Sequence, residues 1–170
     1  MKRSTFLHGA LAAAASFALA PAAHAQAVKL TLGHGAAPGN PRHEAAVKFA
    51  EVLKAKTSGR IEVQVAPSAQ LGDDAAMVTA LRTGALDISA NSQGAVANAV
   101  PEYGAFGMPF LFTNSAAAFK LLDGPLGKEL ADKSSEKGMI LLGTWDNGIR
   151  HMTTSKKPIA KVEEDRKSVV

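Results

Sequence analysis

The sequence predicts an α/β fold, a parallel sheet with flanking helices, and three observations carry that reading. Val28, Leu30 and Leu32 alternate with Lys29 and Thr31, and Ile61, Val63 and Val65 alternate in the same way, the period of strands with one buried face. Between and after these runs lie stretches with helix-start residues and apolar stripes at helical spacing. Met139–Leu142 is a continuous apolar run, the pattern of a strand covered on both faces.

The elements follow in order. Gly33-His34-Gly35 ends the first strand. Asn40 can accept a bond from an otherwise unsatisfied amide at a helix start, Pro41 suits the first helical position, and Ala46, Phe49, Ala50 and Leu53 then share one face. Gly59 stops that helix, and Pro67-Ser68 closes the second strand. Asp73 and Asp74 offer an acceptor and negative charge to a second helix start, with Met77, Ala80 and Leu81 as its buried stripe and Gly84 as its stop. A third strand over 86–90 leads into Asn91-Ser92-Gln93-Gly94. The pattern is irregular around Pro101 and Pro109. Helices are then expected over 115–122 and 125–137, separated by Asp123-Gly124. The run 139–142 is the fourth strand, and 149–154 is a possible continuation beyond Asp146-Asn147-Gly148. This alternation implies a parallel sheet with right-handed crossovers.

The first residues bear on compartment. Lys2 and Arg3 precede an uncharged apolar run from Phe6 to Ala20, Pro21 breaks it, and Ala23-His24-Ala25 supplies small residues for cleavage, with Ala25-Gln26-Ala27 as a second frame. The run is shorter than the roughly 20 residues that span a bilayer. Residues 1–25 are therefore expected to be a cleaved Sec-type signal peptide, with cleavage at 27 as the variant, leaving a soluble periplasmic chain not itself embedded in the membrane. Cysteine is absent, which excludes disulfides, thiolate metal sites, a cysteine nucleophile and a lipid anchor on cysteine. The net charge of +4 falls to about +2 once Lys2 and Arg3 leave, and aromatics make up 5% of the chain. No basic stripe interleaved with stacking rings points to nucleic acid.

Ligands in open parallel sheets bind outside the carboxyl ends of the strands. The sequence places His34 there after strand one, Gln70, Asp73 and Asp74 after strand two, Asn91 and Ser92 after strand three, and Asp146, Asn147 and Arg150 after strand four. That set suits a small hydrogen-bonding ligand, and the paired donors of Arg150 suit a carboxylate. The same residues also serve as turn formers, caps and surface ion-pair partners, and Trp145 reads most simply as core. No phosphate-cradling glycine loop or zinc spacing among His34, His43 and His151 calls for a cofactor or metal. Ser92 with His34 could compose a periplasmic hydrolase, although no Gly-x-Ser-x-Gly elbow is present.

The chain also resembles a known family. Leu32-Gly33-His34, Phe49-Ala50-Glu51 with Thr57-Ser58-Gly59-Arg60-Ile61, and Pro67-Ser68-Ala69-Gln70-Leu71-Gly72-Asp73 open the series. Leu81-Arg82-Thr83-Gly84-Ala85-Leu86-Asp87, Pro109-Phe110-Leu111-Phe112, Asp123-Gly124-Pro125-Leu126-Gly127 and Asn147-Gly148-Ile149-Arg150 with Thr153-Thr154-Ser155 continue it. In this order they resemble the substrate-binding proteins of tripartite ATP-independent periplasmic (TRAP) transporters, of the DctP type. The resemblance implies a two-lobed periplasmic-binding-protein-like fold closing on an organic acid, a dicarboxylate, sugar acid or related carboxylate, which is delivered to TRAP membrane permease subunits. It implies that Arg150 lies in the cleft and that His34 and Ser92 face the ligand from the first lobe. Asn91 and Asp74 complete the expected substrate-binding set. Residues 26–150 correspond to the first lobe and 151–170 to the start of the crossover. Arg166-Lys167-Ser168-Val169-Val170 departs from the family pattern, so the chain is expected to be truncated or frame-shifted after Asp165, with the second lobe missing. It is then a weakly binding or non-binding remnant of a receptor rather than an enzyme.

The export reading is checked by mass measurement of the periplasmic protein, which should begin at Gln26 or Val28. Recovery only in membranes with Met1 retained would contradict it.

Overall fold

The computed structural model describes residues 26–108, 111–112, 114–146, 148 and 161. The expected signal segment, Arg150 and the proposed continuation at 149–154 lie outside the described residues. The elements run β1 (Val28–His34), α1 (Pro41–Lys56), β2 (Ile61–Ala66), α2 (Asp74–Thr83), β3 (Ile88–Ala90) and α3 (Gln93–Val96). A 3-10 helix at Pro101–Gly107 follows, then α4 (Ser115–Leu122) and α5 (Pro125–Glu136). The sheet is parallel, in the order β2-β1-β3.

Local chemistry sets the boundaries. Asn40 accepts from the Arg42 amide at 2.9 Å with Pro41 in the first turn, and Asp73 accepts from the Ala76 amide at 2.8 Å. Asn114 caps α4 through the Ala117 amide at 2.9 Å. Each bond satisfies an amide that has no partner within its own helix. Gly84 ends α2 at φ +73, a left-handed conformation that a Cβ would penalise.

Register and burial then place the crevice. β1 pairs with β2 from Val28↔Ile61 to Gly33↔Ala66, and with β3 from Leu32↔Ile88 to His34↔Ala90. Before β3 begins, the Asp87 carboxylate accepts from the Thr31 amide at 2.8 Å and occupies the ladder position ahead of the strand. Being flanked on both sides only at its carboxyl end, β1 goes from exposed at Val28 to fully buried at Leu32, Gly33 and His34. Leu32, Ala46, Met77, Val78 and Leu86 are buried there, and each larger apolar side chain contributes about 1.5–3 kcal/mol by leaving water. Gly33 permits this approach, because a Cβ on it would sit 2.7 Å from Met77 Sδ.

A second cluster of Val100, Tyr103 and Leu130 gathers the 3-10 helix, α4 and α5. Ser134 Oγ donates to the Leu130 carbonyl at 2.7 Å, so the Tyr103 hydroxyl, 3.1 Å away, is the donor to Ser134. The α4–α5 turn is tight, and a Cβ on Gly127 would fall on the Leu122 backbone carbonyl.

The structure corrects three expectations. The third strand is Ile88–Ala90 rather than 86–90, because the Leu86 amide donates to the Ala80 carbonyl of α2 at 3.2 Å instead of joining the ladder. The run 139–142 is not a strand: Ile140 is 82% exposed and Leu142 67%. Apolarity favours burial, but a strand also needs a neighbouring ladder, and the described sheet pairs only β1 with β2 and β3. Trp145 is not core. It is 45% exposed, its ring 6.3 Å from that of Phe49 on α1.

Gly127→Ala should destabilise the chain by about 3 kcal/mol, since backbone rather than a flexible side chain blocks the methyl. Gly94→Ala, where a Cβ meets nothing within 4 Å, should be neutral or slightly stabilising. Urea midpoints check both, and equal midpoints would contradict the tight-turn reading.

Candidate functional site

Strand order locates the crevice. The chain passes from β1 to β2 on one side and returns to β3 on the other. Its connections therefore separate at the carboxyl end of β1, the position where open α/β sheets bind ligands. His34 ends β1, Asn91 and Ser92 follow β3, and Asp74 opens α2. The loop after β2 is tied to the same end through backbone bonds from Ser68 to Ala36 and from Ala69 to His34, at 2.9 and 3.1 Å. Ser68 and Ala69 both have φ near +55, an uncommon conformation for residues with a Cβ.

His34 is fully buried. Its Nδ1 accepts from the Ala36 amide at 3.1 Å, so the ring proton resides on Nε2. That Nε2 lies 3.2 Å from His43 Nδ1 and donates to it, which leaves the proton of a neutral His43 on its own Nε2. Burial holds the His34 pKa below 6.5, reinforced by the positive fields of His43 and Arg42 and opposed by Asp74. Zinc held through His34 Nε2 would require Nδ1 to donate, whereas here it accepts. Among the described residues no group of three histidines, aspartates or glutamates could hold a metal.

Asp74 is the junction of the site. One carboxylate oxygen accepts from the Ser92 amide at 2.9 Å, and Arg42 Nη1 lies 3.4 and 3.5 Å from the two oxygens. Both side chains are 20% exposed, so this ion pair is less screened than a surface one. Asp73 is the helix cap, which frees Asp74 to bridge α1, α2 and the exit of β3. Gly35 leaves room for the bridge, since a Cβ there would lie 3.1 Å from Asp74 Oδ1. Asn91 Nδ2 donates to Ser89 Oγ at 2.8 Å.

The structure thus assembles His34, Asp74, Asn91 and Ser92 at one end of the sheet, while Arg150 lies outside the described residues. Gln70 is exposed. Sequence reasoning missed Arg42 and the pairing of His43. The available signal was a cation in the first turn of a helix, where it opposes the dipole and therefore calls for a nearby anion. The hydrolase alternative has no support here, because both His34 nitrogens are engaged away from Ser92.

Residues 32–167 match the family of bacterial extracellular solute-binding proteins, family 7, DctP. The chain belongs to this family. Protein y4mM of Sinorhizobium fredii is 57% identical over 135 residues, which are 79% of this chain and 25% of that protein. The sugar acid binding protein DctPAm of Advenella mimigardefordensis, in complex with galactonate, matches with a TM-score of 0.78 and 36% identity, over 81% of this chain and 44% of that one. A TRAP periplasmic solute binding protein from Sulfurospirillum deleyianum, with bound succinate, matches with a TM-score of 0.72 and 36% identity, over 78% and 43%. The chain spans a quarter to under half of the length of these DctP relatives and neighbours. DctP-family proteins are periplasmic solute-binding proteins, and among the described residues no helix is long and apolar enough to cross a membrane.

Two measurements probe the site. The unfolded chain takes up the His34 proton near pH 6.5 and the folded chain only below it. The stabilisation from neutral His34 is therefore complete above pH 6.5 and is lost as pH falls below that value towards the depressed folded pKa. Melting scans from pH 7.5 to 5 should show a decline that His34→Gln makes shallower; an unchanged slope would refute this. Asp74→Ala should cost about 1–3 kcal/mol. Asp74→Asn, which keeps an acceptor for Ser92, should cost less in the same denaturation assay.

Proposed function

We propose that the chain is the first lobe of a periplasmic receptor that binds an organic acid and delivers it to a TRAP membrane permease. The observation that carries this reading is the polar cluster at the carboxyl end of β1, where the strand order reverses, in a chain of the DctP family. His34, Asn91, Ser92 and Asp74 form the ligand side of this lobe, with Arg150 as the carboxylate partner. Galactonate and succinate, bound by the two structural neighbours, set the range of acids to try. Residues 1–25 are its export signal, residues 26–150 the lobe, and residues 151–170 the beginning of the crossover. A lobe that leaves its ligand half in water lets water compete for every bond, so the chain by itself should bind near 1 mM, about −4 kcal/mol.

Titration of the mature chain with a panel of small carboxylates at millimolar concentration tests this. At least one acid should bind, and Arg150→Lys should weaken it by up to about five-fold, the equivalent of about 1 kcal/mol for a half-solvated pair. A folded chain that binds no carboxylate would overturn the receptor reading. Unchanged affinity in Arg150→Lys would remove Arg150 from the site.

A further inference from the structure

Asn91 narrows the chemistry of the ligand. It follows β3 at the crevice, and its Nδ2 donates to Ser89 Oγ at 2.8 Å. Its Oδ1 is buried and has no hydrogen-bond partner, and among the described residues it is the one buried side-chain polar atom in that state. A buried acceptor without a donor carries its full desolvation cost, so the position favours a group that brings a proton.

The adjacent backbone does not supply that proton. The adjacent Ser92 amide is already donated to Asp74, and Asp74 itself is an acceptor facing Arg42. A carboxylate oxygen approaching Asn91 would meet one lone pair with another. A ligand hydroxyl would satisfy Oδ1 and keep its own oxygen available as an acceptor. We infer that Asn91 Oδ1 accepts a hydrogen bond from a ligand hydroxyl, and that the site selects hydroxylated carboxylates over unsubstituted dicarboxylates. The inference rests on the receptor reading and makes Asn91 its specificity determinant.

Malate and succinate test it, because they share a four-carbon dicarboxylate frame and differ by one hydroxyl. Binding to the mature chain is measured at millimolar concentration by the shifts of side-chain amide and backbone resonances. Malate should bind at least about five-fold more tightly, the effect of one satisfied buried hydrogen bond. Asn91→Ala should bring the ratio to about one. Asn91→Asp keeps an oxygen at the Oδ1 position, so it should preserve the preference for malate while its charge weakens both acids.

Equal affinities would show that water suffices at Oδ1 and would overturn the inference. A preference for succinate would do the same, by showing that the amide presents its nitrogen to the crevice. A ratio that survives Asn91→Ala would assign the hydroxyl contact elsewhere. Absence of binding by every carboxylate would instead remove the receptor reading on which the inference stands.

Discussion

The carboxylate of Asp74 lies where three pieces of chain meet, and the shape of the crevice depends on it. It holds Arg42 from the start of α1 and the Ser92 amide from the exit of β3, while belonging itself to the first turn of α2. Those segments are far apart in sequence, so the bridge fixes the relative positions of two helix starts and one strand end. Gly35 is part of the same arrangement, since a side chain there would press on the carboxylate. The neighbouring Asp73 carries the helix-capping bond, and this division of labour leaves Asp74 available for tertiary contacts.

Beneath this bridge, His34 provides a neutral polar floor. Among the described residues the sheet is three strands wide, and only the carboxyl end of β1 is paired on both sides. A polar ring at the most enclosed point of the sheet is tolerable because both nitrogens are engaged, one by the Ala36 amide and one by His43. The order of those bonds also fixes the proton position on each neutral ring, so the floor has a defined donor direction as well as a defined shape. Charge on His34 is opposed by burial and by the Arg42 guanidinium nearby, which favours the neutral ring near neutral pH.

Much of the fold was legible because its causes are local. The alternation at Val28–Leu32 and Ile61–Val65, the caps at Asn40 and Asp73, and the stop at Gly84 each depend on residues within a few positions of one another. The misreadings share the opposite cause. The run 139–142 has the composition of a buried strand but lacks a ladder in the described sheet, and Trp145 is large and apolar but stays 45% exposed, with its ring near that of Phe49 on α1. Composition reports a preference for burial, whereas a neighbour must exist for the preference to be realised. The helix over 115–122 matched because its cap at Asn114 and its apolar stripe agree.

The sequence by itself determined the α/β class, the parallel order of alternating elements, the family, and the polar strand exits that include His34, Asp74, Asn91 and Ser92. Those are properties of periodicity, capping chemistry and motif order, which are written along the chain. Only the tertiary structure decided that β1 is the central strand of the described sheet, that Arg42 and His43 join the site, and which ring nitrogen of His34 carries the proton. It also decided that Asn91 Oδ1 is a buried acceptor without a hydrogen-bond partner. Each of these depends on which distant segments become neighbours, and no local pattern encodes the partner of a side chain across the sheet.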